Sequence, residues 1–298
     1  MHLPNILAAA GLIALAAGHA GPHPEISKRE ITRRHDLSAR CAPHVANFNS
    51  KRMKRNLSKR FPGPANATYQ IQTEAPYYQT IQNDTCVLTP EVTQGPYIWP
   101  HSQTLRQDMT EDQPGIPLWL DVGVLDMETC APLEGVLVDF WHCNATGSYS
   151  AFTGLSPNTP FEELLKQLNV SVSDMFSADL HTDNTTFLRG MWPTDKHGVM
   201  EMKTIFPGFY VERAIHIHVQ VHTDWTIRGN GTIAYGNTIS TGQIDRVTNA
   251  KDMFFDQSTE NGYNPVVSVV PIDGKDVTKG MIGYITIGVD KNGPQTDS

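Results

Sequence analysis

The sequence predicts an all-β protein, a β-sandwich with a short helical insertion, and three observations carry that expectation. Strand-length runs of apolar or alternating residues recur along the chain, each closed by turn-forming residues. Only Phe161 to Leu168 is convincingly helical, about two turns on an insertion. The 238 residues from Phe61 onward suit one sandwich domain with a sizeable core.

The elements follow in order. Leu118 to Leu125 and Gly135 to Trp141 are rich in β-forming residues, and Asp126 to Glu134 joins them as a hairpin-like loop. Gly198 to Phe206, Ala214 to His222, Val266 to Val270 and Met281 to Val289 add further strands. Between Ile215 and His222 the alternation is strict. Ile215, Ile217, Val219 and Val221 fall on one face, and His216, His218, Gln220 and His222 on the other. Imidazoles two residues apart project the same way, roughly 6.6 Å from one another by the strand's rise, so both can address one ion. Tyr210, just past Pro207-Gly208, can return a phenol oxygen to the same point. Two histidines alone leave a plain polar strand face equally open.

Leu3 to Ala17 is apolar, and Gly18-His19-Ala20 supplies small residues for cleavage, so residues 1–20 read as a secretory signal peptide too short to span a membrane. No other apolar run approaches spanning length. Residues 21–60 hold 11 Lys or Arg against three acids, whereas the remainder carries 12 basic and 28 acidic residues. Dibasic pairs recur at Lys28-Arg29, Arg33-Arg34, Lys51-Arg52, Lys54-Arg55 and Lys59-Arg60, so the segment reads as a basic pro-segment or disordered region. The acidic body argues against a nucleic-acid partner, since it would repel a phosphate backbone. Four cysteines in a secreted chain suggest disulfides, with Cys86–Cys130 the preferred pair and Cys41 leaving with the pro-segment. Sequons at Asn56, Asn66, Asn83, Asn144, Asn169, Asn184 and Asn230 fit a secreted glycoprotein.

A second stretch matters for chemistry. The strand ending at Trp141-His142 turns through Thr146-Gly147 and presents Tyr149. With Gly95-Pro96-Tyr97, Gly147-Ser148-Tyr149-Ser150, Phe187-Leu188-Arg189-Gly190, Thr194-Asp195 with Gly198, Thr204 to Tyr210, and Arg213 to His218, the chain resembles the intradiol ring-cleavage dioxygenases. The resemblance runs from about Thr89 to the C-terminus and looks closest to secreted fungal-type members. It implies a β-sandwich catalytic domain holding non-haem Fe(III) through Tyr149, Tyr210, His216 and His218, with Arg213 in the active site. Gln243 resembles a glutamine that helps form the site, across a longer segment than usual. Ala214 stands where the family usually has proline, and the 153–187 and 223–242 segments depart from the pattern.

The donor types suit the ion independently. Fe(III) is hard and strongly charged, so phenolate oxygen serves it better than thiolate. The resemblance implies a catechol-type aromatic diol and O2 as reactants, ring cleavage between the hydroxylated carbons, Tyr210 as the displaceable ligand and Arg213 as a stabiliser of negative charge. Rival readings are a sandwich binding module and a copper or Fe(II) oxidase. His142 and His222 read as structural and solvated respectively, Tyr97 either as a turn aromatic packed for its own sake or as a pocket wall, and Asp195 as a turn residue. N-terminal sequencing of secreted material is expected to find a start near Phe61 or Arg40-Cys41, and a start at Gly21 contradicts that reading.

Overall fold

The computed structural model describes residues 27–60, 95–99, 104–171, 174, 178–211, 213–229, 233–235, 238–245 and 265–291. The signal-peptide stretch, Cys86 and the sequons at Asn66, Asn83 and Asn230 lie outside them. Two sheets face one another. The first contains β1 (Pro117–Asp126), β2 (Ala131–Pro132), β5 (Val199–Ile205), β10 (Ser268–Pro271) and β11 (Met281–Val289). The second runs β4 (Arg189–Pro193), β3 (Leu137–Trp141), β6 (His216–His222) and β9 (Thr238–Asp245). β7 (Trp225–Ile227) and β8 (Ile233–Tyr235) form a small hairpin, and α2 (Phe161–Gln167) lies in the insertion.

β1 is the spine of the first sheet, pairing parallel with β11 and antiparallel with β5. Its alternate residues Leu118, Leu120, Val122 and Val124 enter the main core. From the opposite sheet come Val138 and Phe140 of β3 and Ile217, Val219 and Val221 of β6. The predicted apolar face of the histidine strand is therefore the face that packs the sandwich, and period two sends its histidines the other way.

The hairpin expected between Leu118–Leu125 and Gly135–Trp141 does not form. β2 turns back on the end of β1, pairing Leu125 with Pro132 and Asp126 with Ala131, and the chain then crosses to the second sheet. Both predicted strands have an apolar face for the same core, so they meet across it instead of edge to edge.

The basic segment also departs from expectation: Lys28–Arg60 is an α-helix of 33 residues, α1, rather than disordered chain. Leu37, Cys41, Val45 and Phe48 share one stripe and pack against Leu125, Met127 and Cys130. Cys41 is joined to Cys130, with Cα atoms 5.1 Å apart, which replaces the expected Cys86–Cys130 pair. Arg52 Nε lies 2.8 Å from Asp121 Oδ1, and their side chains are 3% and 0% exposed. The run of charge concealed an apolar stripe long enough to dock.

Among the described residues no helix is long and apolar enough to cross a membrane. Breaking one partner of a buried ion pair typically costs about 3–5 kcal/mol. Arg52→Leu is therefore expected to lower unfolding stability by that order in a urea titration, and a loss below about 1 kcal/mol, the scale of an exposed pair, would mean that α1 is not docked.

Candidate active site

The site lies on the polar face of β6, where its N-terminal end meets two loops. One loop follows β3 and carries Tyr149. The other follows β5 and carries Tyr210. Backbone hydrogen bonds knit them, Gly208 N–H donating to Asn144 O at 3.0 Å. A Cβ at Gly208 would lie 2.4 Å from Ala145 O, and one at Gly147 2.5 Å from Phe209 O. Both glycines are needed because each loop passes through the space a side chain would fill. Asn144 closes its own loop, Oδ1 accepting from the Thr146 and Ser148 backbone at 3.0 Å each while Nδ2 donates to Gln113 Oε1.

Four of the expected residues come together. Tyr149 Oη lies 3.1 Å and Tyr210 Oη 3.3 Å from His216 Nε2. His216 Nδ1 lies 2.7 Å from the Ala214 carbonyl, an acceptor, so Nδ1 carries the hydrogen and Nε2 presents its lone pair to the phenols. The His218 ring stands nearly perpendicular to that of His216, centroids 4.9 Å apart, and is stacked on Trp141 at 4.9 Å. All four side chains are buried.

Burial first, then the neighbouring Tyr210 and Cys143, pushes the Tyr149 phenol well above its ordinary range, against the pull of Arg213. Burial, with the charge of His216 and Arg213 behind it, holds His218 well below the usual imidazole range and so neutral. Protein groups alone thus favour a neutral Tyr149 phenol and a neutral His218 imidazole, and a bound cation reverses that preference for the phenol.

The donors fit a metal ion. Two phenol oxygens crowd one imidazole lone pair, which can accept only one O–H well, whereas a cation there would be addressed by both phenolates and that nitrogen together. Among the described residues no three His, Cys, Asp or Glu side chains form such a group, so the phenols are indispensable to it. Cys143 is no substitute: its buried thiol is pushed up to about 12 and donates to Gly208 O at 3.5 Å.

Arg213 Nη1 donates to Tyr210 Oη at 3.3 Å and the guanidinium is buried. Tyr97 stacks on Tyr149 with centroids 4.5 Å apart and planes 12° apart. Tyr97, Pro157, Phe161, Tyr210, Val211 and Arg213, with Ser156 and Thr159, line a narrow pocket beside the phenols. Gln243 stands opposite His218 in the β6–β9 register, but its side chain lies outside the described residues, as does Glu212.

His142 is structural, as expected. Nδ1 donates to the Cys143 carbonyl and Nε2 accepts from Thr204 Oγ1, each at 2.7 Å, and burial depresses its pKa to about 4. Asp195 serves its turn, accepting from His197 N and Val199 N. His222 differs from expectation: it is 0% exposed rather than solvated, because β6 stays buried along its whole length.

Sequence reasoning gave Arg189 no role, and the structure supplies one. Its buried guanidinium donates to Ser150 Oγ and Ser150 O at 2.8 Å and to Tyr97 O at 2.7 Å, so it ties the Tyr97 loop to the residue after Tyr149. The signal was an arginine inside an otherwise apolar strand. The geometry predicts that Tyr149→Phe and His218→Ala each bind far less metal than the parent chain after reconstitution, measured by metal analysis. Retention of stoichiometric metal in both would remove these residues from the ligand set.

A family model for Dioxygenase matches residues 90–225, the stretch that contains both tyrosines and both histidines. The intradiol ring-cleavage dioxygenase of Tetranychus urticae is similar in structure, with 25% identity, a TM-score of 0.53, and coverage of 70% of this chain and 97% of that one. A second dioxygenase crystal structure gives 24% identity and a TM-score of 0.52 over 70% of this chain and 96% of the other. No curated protein matches in sequence. The matched stretch and the shared sandwich agree: over residues 90–225, which carry both tyrosines and both histidines, the chain is similar to the intradiol ring-cleavage dioxygenases.

Proposed function

We propose that the protein is a secreted non-haem Fe(III) enzyme that opens catechol-type rings between the two hydroxylated carbons. The observation that carries this is the meeting of two buried tyrosine oxygens and the buried His216 lone pair within 3.1–3.3 Å. Tyr149, Tyr210, His216 and His218 would hold the iron. Ferric iron in such a site supplies a Lewis acid that draws electron density from a bound diolate and so opens the ring to O2. The Cys41–Cys130 disulfide supports an oxidising destination outside the cytosol.

The chain's own residues divide the remaining work. Pro157, Phe161 and Val211 with Tyr97 give the pocket flat or apolar walls suited to an aromatic ring. Tyr149 is the fixed phenol, held by the Tyr97 stack and by Arg189 acting on Ser150. Tyr210 lies beside Arg213 at the pocket, where its oxygen can yield its place and take a proton from the incoming diol. Arg213 stays cationic at any working pH and faces the negative charge that develops as the ring is attacked. In the overall reaction the carbon–carbon bond between the hydroxylated carbons breaks. Both atoms of O2 enter the product, a muconate-type diacid, and no external reductant is consumed.

Iron-loaded protein is expected to be reddish from tyrosinate-to-iron charge transfer, and a colourless preparation with full iron would contradict the two-phenolate assignment. Arg213→Leu separates binding from chemistry. Its iron and the catechol-induced spectral change are expected to persist while turnover falls by roughly 10²-fold, the scale for one lost charge-stabilising group. Near-normal turnover would take Arg213 out of the mechanism. A panel of substituted catechols assayed for O2 uptake and ring-opened product tests the activity itself, and inertness toward every diol would overturn the proposal.

A further inference from the structure

We infer that the basic helix α1 is a permanent part of the domain rather than a leader to be removed, and that Lys51-Arg52 is its anchor rather than a processing signal. The first sheet has one face in the core and one turned away from it. On the face away from the core lie Asp121 of β1 and Thr286 of β11, yet both are 0% exposed. α1 accounts for their burial. Arg52 Nε meets Asp121 Oδ1 at 2.8 Å, and Arg52 Nη1 donates to Thr286 Oγ1 at 3.0 Å. The Thr286 hydroxyl in turn donates to Asn49 Oδ1 at 2.6 Å. Buried charge and hydroxyl are thus satisfied by two residues of the basic segment.

The sheet is also cut to receive this helix. A Cβ at Gly123 would lie 2.1 Å from Arg52 Nη1 and 2.4 Å from Phe48 Cε1. β1 has no side chain where α1 presses hardest, an accommodation that a departing leader would not require. Farther along the helix, Arg33 pairs with Asp290, and Arg40 Nη2 donates to the carbonyls of Met127 at 2.7 Å and Glu128 at 2.8 Å.

Covalent topology strengthens the conclusion. Cuts after Arg52, Arg55 or Arg60 fall between Cys41 and Cys130, so the disulfide would hold the helix to the sandwich after any of them. An endoprotease that reads dibasic pairs also needs extended backbone and two free basic side chains. In Lys51-Arg52 the arginine side chain is 3% exposed and held by Asp121. Arg33 and Arg34 are engaged with Glu30 and Asp290. Lys28-Arg29, in the first turn and exposed, is the open pair among those whose side chains are described.

The test is limited digestion of the full, disulfide-intact chain with a dibasic-specific endoprotease, followed by intact mass measurement before and after reduction. Unreduced protein is expected to lose residues through Arg29 and to keep the rest of α1, any later cut showing only after reduction. Asp121→Asn is expected to open the bond after Arg52 to cleavage at least tenfold faster than in the parent chain. An unreduced product beginning at Phe61 overturns the inference, and so does rapid cutting after Arg52 in the parent chain. Unchanged resistance in Asp121→Asn would remove the anchor role.

Discussion

The hydrogen bond from His216 Nδ1 to the Ala214 carbonyl, 2.7 Å long, decides which side of the imidazole is open, and the site is built around that side. With Nδ1 committed, Nε2 turns its lone pair toward Tyr149 and Tyr210. The bond depends on where β6 begins, and β6 begins where it does because Ile217, Val219 and Val221 must enter the core. A slip of one residue would bury the histidines among aliphatic side chains and expose the apolar row. Core packing and ligand geometry are thus one constraint read on two faces of a strand.

That economy explains what was legible beforehand. Period two in a single strand, with a tyrosine in the loop after each of two other strands, is local information, and the four residues do converge. Arg189 was not legible as a brace, because its partners are a side chain and backbone carbonyls from segments distant in sequence. The burial of His222 depends on what covers the far end of β6, which alternation does not specify. The crossing of the chain between β1 and β3 follows from two strands sharing one core, a tertiary fact.

The basic segment shows a different failure. Its net charge dominates any compositional reading, yet Leu37, Cys41, Val45, Phe48 and Arg52 follow three- and four-residue steps along one helical stripe. The last of these is a charged residue doing a buried residue's work. A cation at a seam position looks like surface until its partner, Asp121, is found inside a strand more than sixty positions away. Pairing Cys130 with Cys41 follows from the same docking.

The reaction proposed for these groups is an intradiol dioxygenation. Its most direct test is isotopic: iron-loaded protein turning over a catechol under ¹⁸O2, with the ring-opened product analysed by mass spectrometry. Both labelled oxygen atoms are expected in a single muconate-type diacid, one in each new carboxyl group. A quinone, a product cleaved outside the diol, or a ring-opened acid without oxygen from O2 would contradict it.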